Sequence, residues 1–264
     1  MSLLYRELAP ISERAWSEVD GEARRSIHHF IAGRHLFELK GPHGYDCEAV
    51  PTGAVTPLDT DLDGTTAAVL KPQPLVELRS PFQVSRRDIE VLDRGGDVSL
   101  DEVVEAARRI AGAEDHLVFE GLADAGISGA AAGSPLDPVP LEAAYDAFPR
   151  AVAKAVTELR NAGVDGPYGI ALGPREHRGV IESTEHGGYP VLNHLHLILD
   201  GPVVWAPTIQ GAVVVSLRGG DFEIHSGLDF SIRYLAHDRD HVDLELVETV
   251  TFRNLGPDAA IRIQ

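Results

Sequence analysis

Sulfur is almost missing from this chain, which has one cysteine, Cys47, and one methionine among 264 residues. A lone cysteine builds neither an intrachain disulfide nor a thiolate zinc cage, and it fits a reducing compartment, so a cytoplasmic location is expected. Positive charge is short as well. Forty-one acidic residues against 23 basic ones give a formal charge of −18, which repels phosphate backbones and speaks against nucleic acid as a partner. Lysine in particular is scarce, with only Lys40, Lys71 and Lys154 beside 20 arginines; arginine is the better residue for bidentate contacts at interfaces. No run of 18 apolar residues occurs, and MSLLYRELAP offers no basic segment ahead of an apolar stretch. Neither a membrane span, a signal peptide nor a membrane partner is therefore expected. The patterns HExxH, GxSxG, GxGxxG and GxxxxGK[ST] are also lacking, so no catalytic residue, metal ligand or cofactor is assigned.

With 44% hydrophobic and 24% charged residues the chain has the composition of a folded protein. Its length allows one elongated domain or two interleaved lobes. Trp16, Val19, Ala23, Ile27 and Phe30 recur at spacings of three or four and predict an amphipathic helix from Ile11 to Ile31, ending near Gly33. Residues 47–84 are richer in Thr and Val. The turn Asp59-Thr-Asp-Leu-Asp-Gly64 divides them into two runs that pair as a long hairpin with little apolar surface of its own. Ser85 with Asp88 opens a second helix, which Gly95 and Gly96 stop, and Ser99 with Glu102 forms a capping box for a third. Residues 121–140, rich in Gly, Ala, Ser and Pro, read as a lobe boundary, followed by a helix around Ala151–Arg160. Alternation predicts strands at Val203–Trp205, Val213–Leu217, Phe230–Tyr234 and Val242–Phe252, and the two Arg-Gly-Gly-Asp segments read as turns.

The twelve histidines form no evident ligand set. His194 and His196 lie on a predicted helix, where they diverge by about 200°. His237-Asp-Arg-Asp-His241 falls between two strands, as a solvated turn does.

Several segments resemble one known family in order along the chain: LYRELAPISERAW, IAGR at 31–34, GPHG at 41–44, KPQPLVELRSPF, GVDGPYGIAL, GGYPVLNHL, WAP at 205–207, RGGDFEIHSGLDFSIRY and VDLELVETVTF. They are similar to the family 1 encapsulins, the linocin-type bacterial shell proteins. The resemblance implies an α+β fold of the tailed-bacteriophage (Hong Kong 97) major capsid type. It divides the chain into a packing domain with an N-terminal helix (1–46), an extended hairpin arm (47–80), a packing segment with the spine helix (81–135), an axial domain (136–218) and C-terminal packing strands (219–264).

The implied function is that of a structural subunit, not an enzyme. It assembles with itself into an icosahedral nanocompartment of about sixty copies around a cargo such as a dye-decolourising peroxidase or a ferritin-like protein. The resemblance places cargo-peptide binding at Ile31, Arg34, Leu36, Glu38 and Leu39 on one side of a groove and at Leu228, Asp229, Phe230 and Ile232 on the other. Alternating apolar pockets suit a peptide's Leu and Ile, while Arg34 and Asp229 either grip its polar groups or form a structural salt bridge. Replacing Arg34 or Phe230 with Ala is expected to leave shells intact and weaken cargo retention. A fivefold pore loop falls on Glu182, Ser183, Thr184, Glu185, His186, Gly187, Gly188 and Tyr189, where acids attract cations and the glycines favour mobility. Arg87 stands where some relatives carry a flavin-stacking Trp, so no flavin is expected. The alternatives, a genome-packaging phage capsid protein and a bacteriocin or protease, are opposed by the acidic charge and by the missing nucleophile motif.

Overall fold

Ser12 starts the first helix by accepting the Ala15 N–H on its hydroxyl, and α1 then runs over Glu13–Phe30. Its stripe of Ala15, Trp16, Val19, Ala23 and Ile27 is buried, as the spacing predicts. The computed structural model describes residues 3–141, 145–185 and 188–264. After α1 come β1 (Glu38–Lys40), β2 (Ala49–Val50), β3 (Val55–Leu62), β4 (Thr65–Leu70), β5 (Gln73–Pro74) and β6 (Val76–Ser85). Then follow α2 (Arg86–Asp93), α3 (Asp101–Phe119), β7 (Gly121–Leu122), β8 (Ile127–Ser128), α4 (Phe148–Asn161), β9 (Tyr168–Leu172), α5 (Pro174–Glu182) and α6 (Val191–Leu199). The remainder is β10 (Val203–Trp205), β11 (Ala212–Ser216), β12 (Phe222–Ser226), β13 (Ser231–His237), β14 (His241–Asn254) and β15 (Ala260–Ile263).

β14 organises the first sheet. β6 pairs antiparallel with its residues 241–250, while β13 and β12 lie end to end along the opposite edge and β1 adds parallel to β12. Beneath it α1, α2 and the first half of α3 enclose a core of Trp16, Ile27, Phe82, Ile110, Leu244 and Leu246. A second sheet, in the order β10-β9-β11-β15, has two central strands buried on both faces. Its core of Phe148, Leu159, Ile170, Leu195 and Val214 is walled by α4 and α6. Phe37, Phe119, Phe222 and Phe252, whose rings approach to 5.3–6.0 Å, belong to this second core although β12 and β14 are strands of the first sheet.

Three sequence expectations change. The hairpin ends sooner than expected: β3 and β4 form its outer part, closed by Asp63 and Gly64 at positive φ (51° and 80°) as a two-residue Asp-Gly turn requires, and β2 with β5, Ala49 opposite Pro74, continues it at the base. Residues 76–85 instead join β14, because Ser80, Phe82 and Val84 alternate inward. The Ser99 capping box does not form: α3 begins at Asp101, and Leu100, packed on the core, supplies the first carbonyl acceptor. Residues 121–133 open the segment expected to mark a lobe boundary. They fold back on the end of α3, where Ala130 is fully buried and a Cβ on Gly129 would meet Gly121 N and Phe119 O, both at 2.4 Å. Finally, Ala260–Ile263 leaves the C-terminal packing strands and pairs with Ala212–Val215 in the second sheet, since an Ala-Ile-Arg-Ile strand needs a partner edge to bury both isoleucines.

Candidate functional site

α1 ends where its last turn meets α3. Asp115, fully buried, accepts the backbone N–H of Ala32 and Gly33 at 2.7–3.0 Å and so turns the chain at the helix end. Gly33 is required here, because a Cβ would lie 2.7 Å from Val118. The turn carries Arg34 under β13, and a cavity of about 510 Å³ opens between the two elements. Ile27, Ile31, Phe230, Ile232 and Leu246 form its apolar lining. The rim is polar: Arg6 holds Asp20 through two hydrogen bonds of 2.7 and 3.1 Å, and His28 rests against His35.

Arg34 is the electrostatic centre. Its guanidinium lies 4.3 Å over the Phe230 ring, binds Asp229 at 2.8 Å, reaches Glu114 through Nε and Nη2 at 2.8–3.0 Å, and donates to Glu248. The Glu114 and Glu248 side chains have no solvent exposure, whereas Asp229 is 43% exposed at the groove. Burial works against the Arg34 charge, but Glu114, Glu248 and Asp229 together raise its pKa. Burial, then the facing Glu114 charge, pushes the Glu248 carboxyl well above the usual range. Its Oε2 has no hydrogen-bond partner among the described residues. Burial likewise pushes Asp115 up to about 7, against the two backbone N–H groups that favour its charge.

Of the residues expected to line the groove, Ile31, Arg34, Asp229, Phe230 and Ile232 do so. Leu36 lies in the second core, within reach of Gly169. Glu38 and Leu39 sit on β1, where Glu38 pairs with Lys40 at 2.7 Å, and Leu228 bonds through its backbone to Thr249. Glu114, Glu248 and Asp115 were not foreseen. Their signal is present in the sequence: Glu114 continues the apolar face of Ala107 and Ile110 in α3, and Glu248 falls in the inward register of Leu244, Leu246 and Val250.

In the 182–189 segment, Glu182 ends α5 and is exposed, Ser183 O accepts the Val191 N–H, and Thr184 bridges to Pro190. Glu185 N–H donates to Tyr189 O at 2.8 Å, Gly188 N–H donates back to Glu185 O at 2.9 Å, and the Glu185 carboxylate meets His194 Nδ1 at 2.8 Å. The expectation for His186 and Gly187 lies outside the described residues. His194 and His196 fall on α6, and 237–241 is the turn between β13 and β14.

Residues 1–251 match the family described as "Encapsulating protein for peroxidase". The chain is 43% identical to the type 1 encapsulin shell protein of Rhodospirillum rubrum over 271 aligned residues, covering 100% of this chain and 97% of that protein. The chain belongs to the type 1 encapsulin shell proteins. This encapsulin is accordingly a structural shell subunit and not an enzyme. Its fold is that of the capsid-like particles. A virus-like particle from Pyrococcus furiosus superposes with a TM-score of 0.66 at 15% identity, over 94% of this chain and 99% of that one. The capsid of the myovirus XM1 superposes with a TM-score of 0.53 at 11% identity, over 87% and 90%. Among the described residues of the encapsulin subunit no helix is long and apolar enough to cross a membrane.

Proposed function

We propose that about sixty copies of this chain close into a T = 1 shell that holds a peroxidase of the dye-decolourising type, and that the cargo's C-terminal peptide docks in the groove between α1 and β13. The observation that carries the docking assignment is the groove itself, an apolar channel floored by Ile31, Phe230 and Ile232 with the Arg34–Asp229 pair at its edge. An extended peptide with alternating aliphatic residues would bury them there and leave its backbone to the polar rim. One such contact is weak, but an oligomeric cargo offers several tails, and avidity retains it. The family's description as encapsulating a peroxidase favours that cargo over a ferritin-like one.

The hairpin β3–β4 supports assembly. Val55, Leu58, Leu62, Val69 and Leu70 are 44–73% exposed on it, and contact with neighbouring copies would cover them. The acidic charge favours a protein interior over a genome, and the lone, unpaired cysteine suits the cytoplasm. The 182–189 segment is assigned to the shell's fivefold opening, with Glu182 as an exposed acid. To test the docking site, Phe230→Ala is coexpressed with the peroxidase and the shells are purified. Particles of normal diameter that have lost most of their cargo are expected; full loading would place the docking site elsewhere.

A further inference from the structure

α5 and α6 bury Val180, Val191, Leu195 and Leu199 in the second core. Both run away from the 182–189 segment, at whose base the Val191 N–H donates to Ser183 O and Thr184 bridges to Pro190. Their outer faces are left open: Leu197 is 73% exposed and Ile181 56%. On α5 the exposed residues Arg175, Arg178 and Glu182 stand at i, i+3 and i+7, and on α6 Asn193, Leu197 and its cap Asp200 stand at i, i+4 and i+7. Each set therefore forms one stripe, and by the helical rise each stripe is about 10 Å long.

The charges on these stripes oppose their own helices. Arg175 and Arg178 lie near the N-terminus of α5, where the helix dipole is positive, and Asp200 closes the C-terminus of α6, where it is negative. None of the three makes an ion pair among the described residues. The two arginines also wall a cavity of about 470 Å³, completed by Pro174, Gly179, Glu182 and Ser183. Gly179, with no side chain, leaves the space between them open. One face thus offers a hollow edged by cations, and the other an apolar side chain followed by an anion.

We infer that the α5 face receives the α6 face of a second copy of this chain, with Leu197 entering the hollow and Asp200 pairing with Arg175 and Arg178. The contact rests on the shell reading above and names what joins neighbours around the proposed opening. Both stripes start at the 182–189 end, so an axis placed there sets Arg175 and Asp200 together on the outside and leaves Glu182 and Asn193 toward the opening. The register needs no adjustment, because the stripes are equally long. The two faces differ, so the contact is head-to-tail and repeats around the axis until the ring closes. Each charge then gains the partner that its own chain does not supply.

The test uses the full chain in a Cys47→Ser background, with folding followed by circular dichroism and assembly by sedimentation and electron microscopy. One exposed ion pair adds little, but like charges set face to face oppose association. Asp200→Arg should therefore lose most of the shells, as should Arg175→Glu with Arg178→Glu, whereas the three changes combined should restore them. Leu197→Cys, which keeps a small apolar side chain, should react with a maleimide in dissociated subunits and be protected in shells. Normal shells from both reversed variants, no recovery in the combined one, or equal labelling in the two states overturns the contact and leaves the shell reading standing. A background chain that forms no shells overturns both.

Discussion

Arg34→Ala is expected to damage the fold before it tests cargo binding. In the wild type one guanidinium, 15% exposed, serves two carboxyl groups with no exposure and a third at the groove. Removing it leaves the Glu114 carboxylate buried without a counter-charge, a loss of about 3–5 kcal/mol for a broken buried pair. At roughly 2–4 °C per kcal/mol for a chain of this size, the melting temperature of purified shells should fall by about 6–20 °C. Glu248→Gln should cost less, because burial and the facing Glu114 already work against the Glu248 charge and the amide keeps its shape, while Arg34 keeps Glu114 as its partner. Combining the two should give back none of the Arg34 loss, since Glu114 remains uncompensated. Arg34→Ala with Glu114→Gln should recover much of it. The assay is thermal unfolding of the four variants at one scan rate, with particle integrity followed by size exclusion. Equal costs for Glu248→Gln and Arg34→Ala would refute Glu114 as the main partner of Arg34; an unchanged melting temperature in Arg34→Ala would refute the network's structural role. Phe230→Ala is therefore the cleaner probe of cargo docking.

Asp115 makes stability depend on pH. Its folded pKa of about 7 lies above the ordinary value of 3.8, so its contribution is fully present below about pH 4 and lost as pH rises through about 7, at most about 4 kcal/mol. Asp115→Asn should flatten the melting temperature between those limits; an unaltered pH profile would count against the assignment. Deleting residues 56–69 and joining the hairpin ends should leave soluble, folded subunits that do not close into shells, as sedimentation would show, because 55–70 packs little against its own chain. Glu185→Gln should free His194 and loosen the 182–189 segment, detected as faster backbone amide exchange there, whereas Glu182→Gln should leave exchange unchanged and slow cation entry into loaded shells.

Periodicity alone determined much of this protein. The α1 stripe is legible because Trp16, Val19, Ala23 and Ile27 must share one face of a 3.6-residue helix, and β14 is legible because Val242, Leu244, Leu246, Val250 and Phe252 fall in one register of two. Residues 47–84 read as a hairpin because the polar turn Asp59–Gly64 divides two Thr- and Val-rich runs; that the turn itself is Asp63-Gly64 came from the structure. Such signals are local, and local geometry is what a sequence pattern encodes. Composition marked 121–140 as a boundary but was silent on its packing: Gly121 and Gly129 stand where a Cβ would strike backbone at 2.4–2.6 Å, and the absence of a side chain looks the same in a loop and in a close approach. Five of the nine residues expected to form the groove line it, and the acids beneath it were missed. Arg34 lies 80 residues from Glu114 and 214 from Glu248, and His43 lies 182 from His225. No spacing rule spans such separations. Which charges share a guanidinium, which carboxyls are shut off from solvent and which imidazoles face each other are decided by burial and strand register, and these exist only once β12, β13 and β14 have paired and α1 has packed on α3.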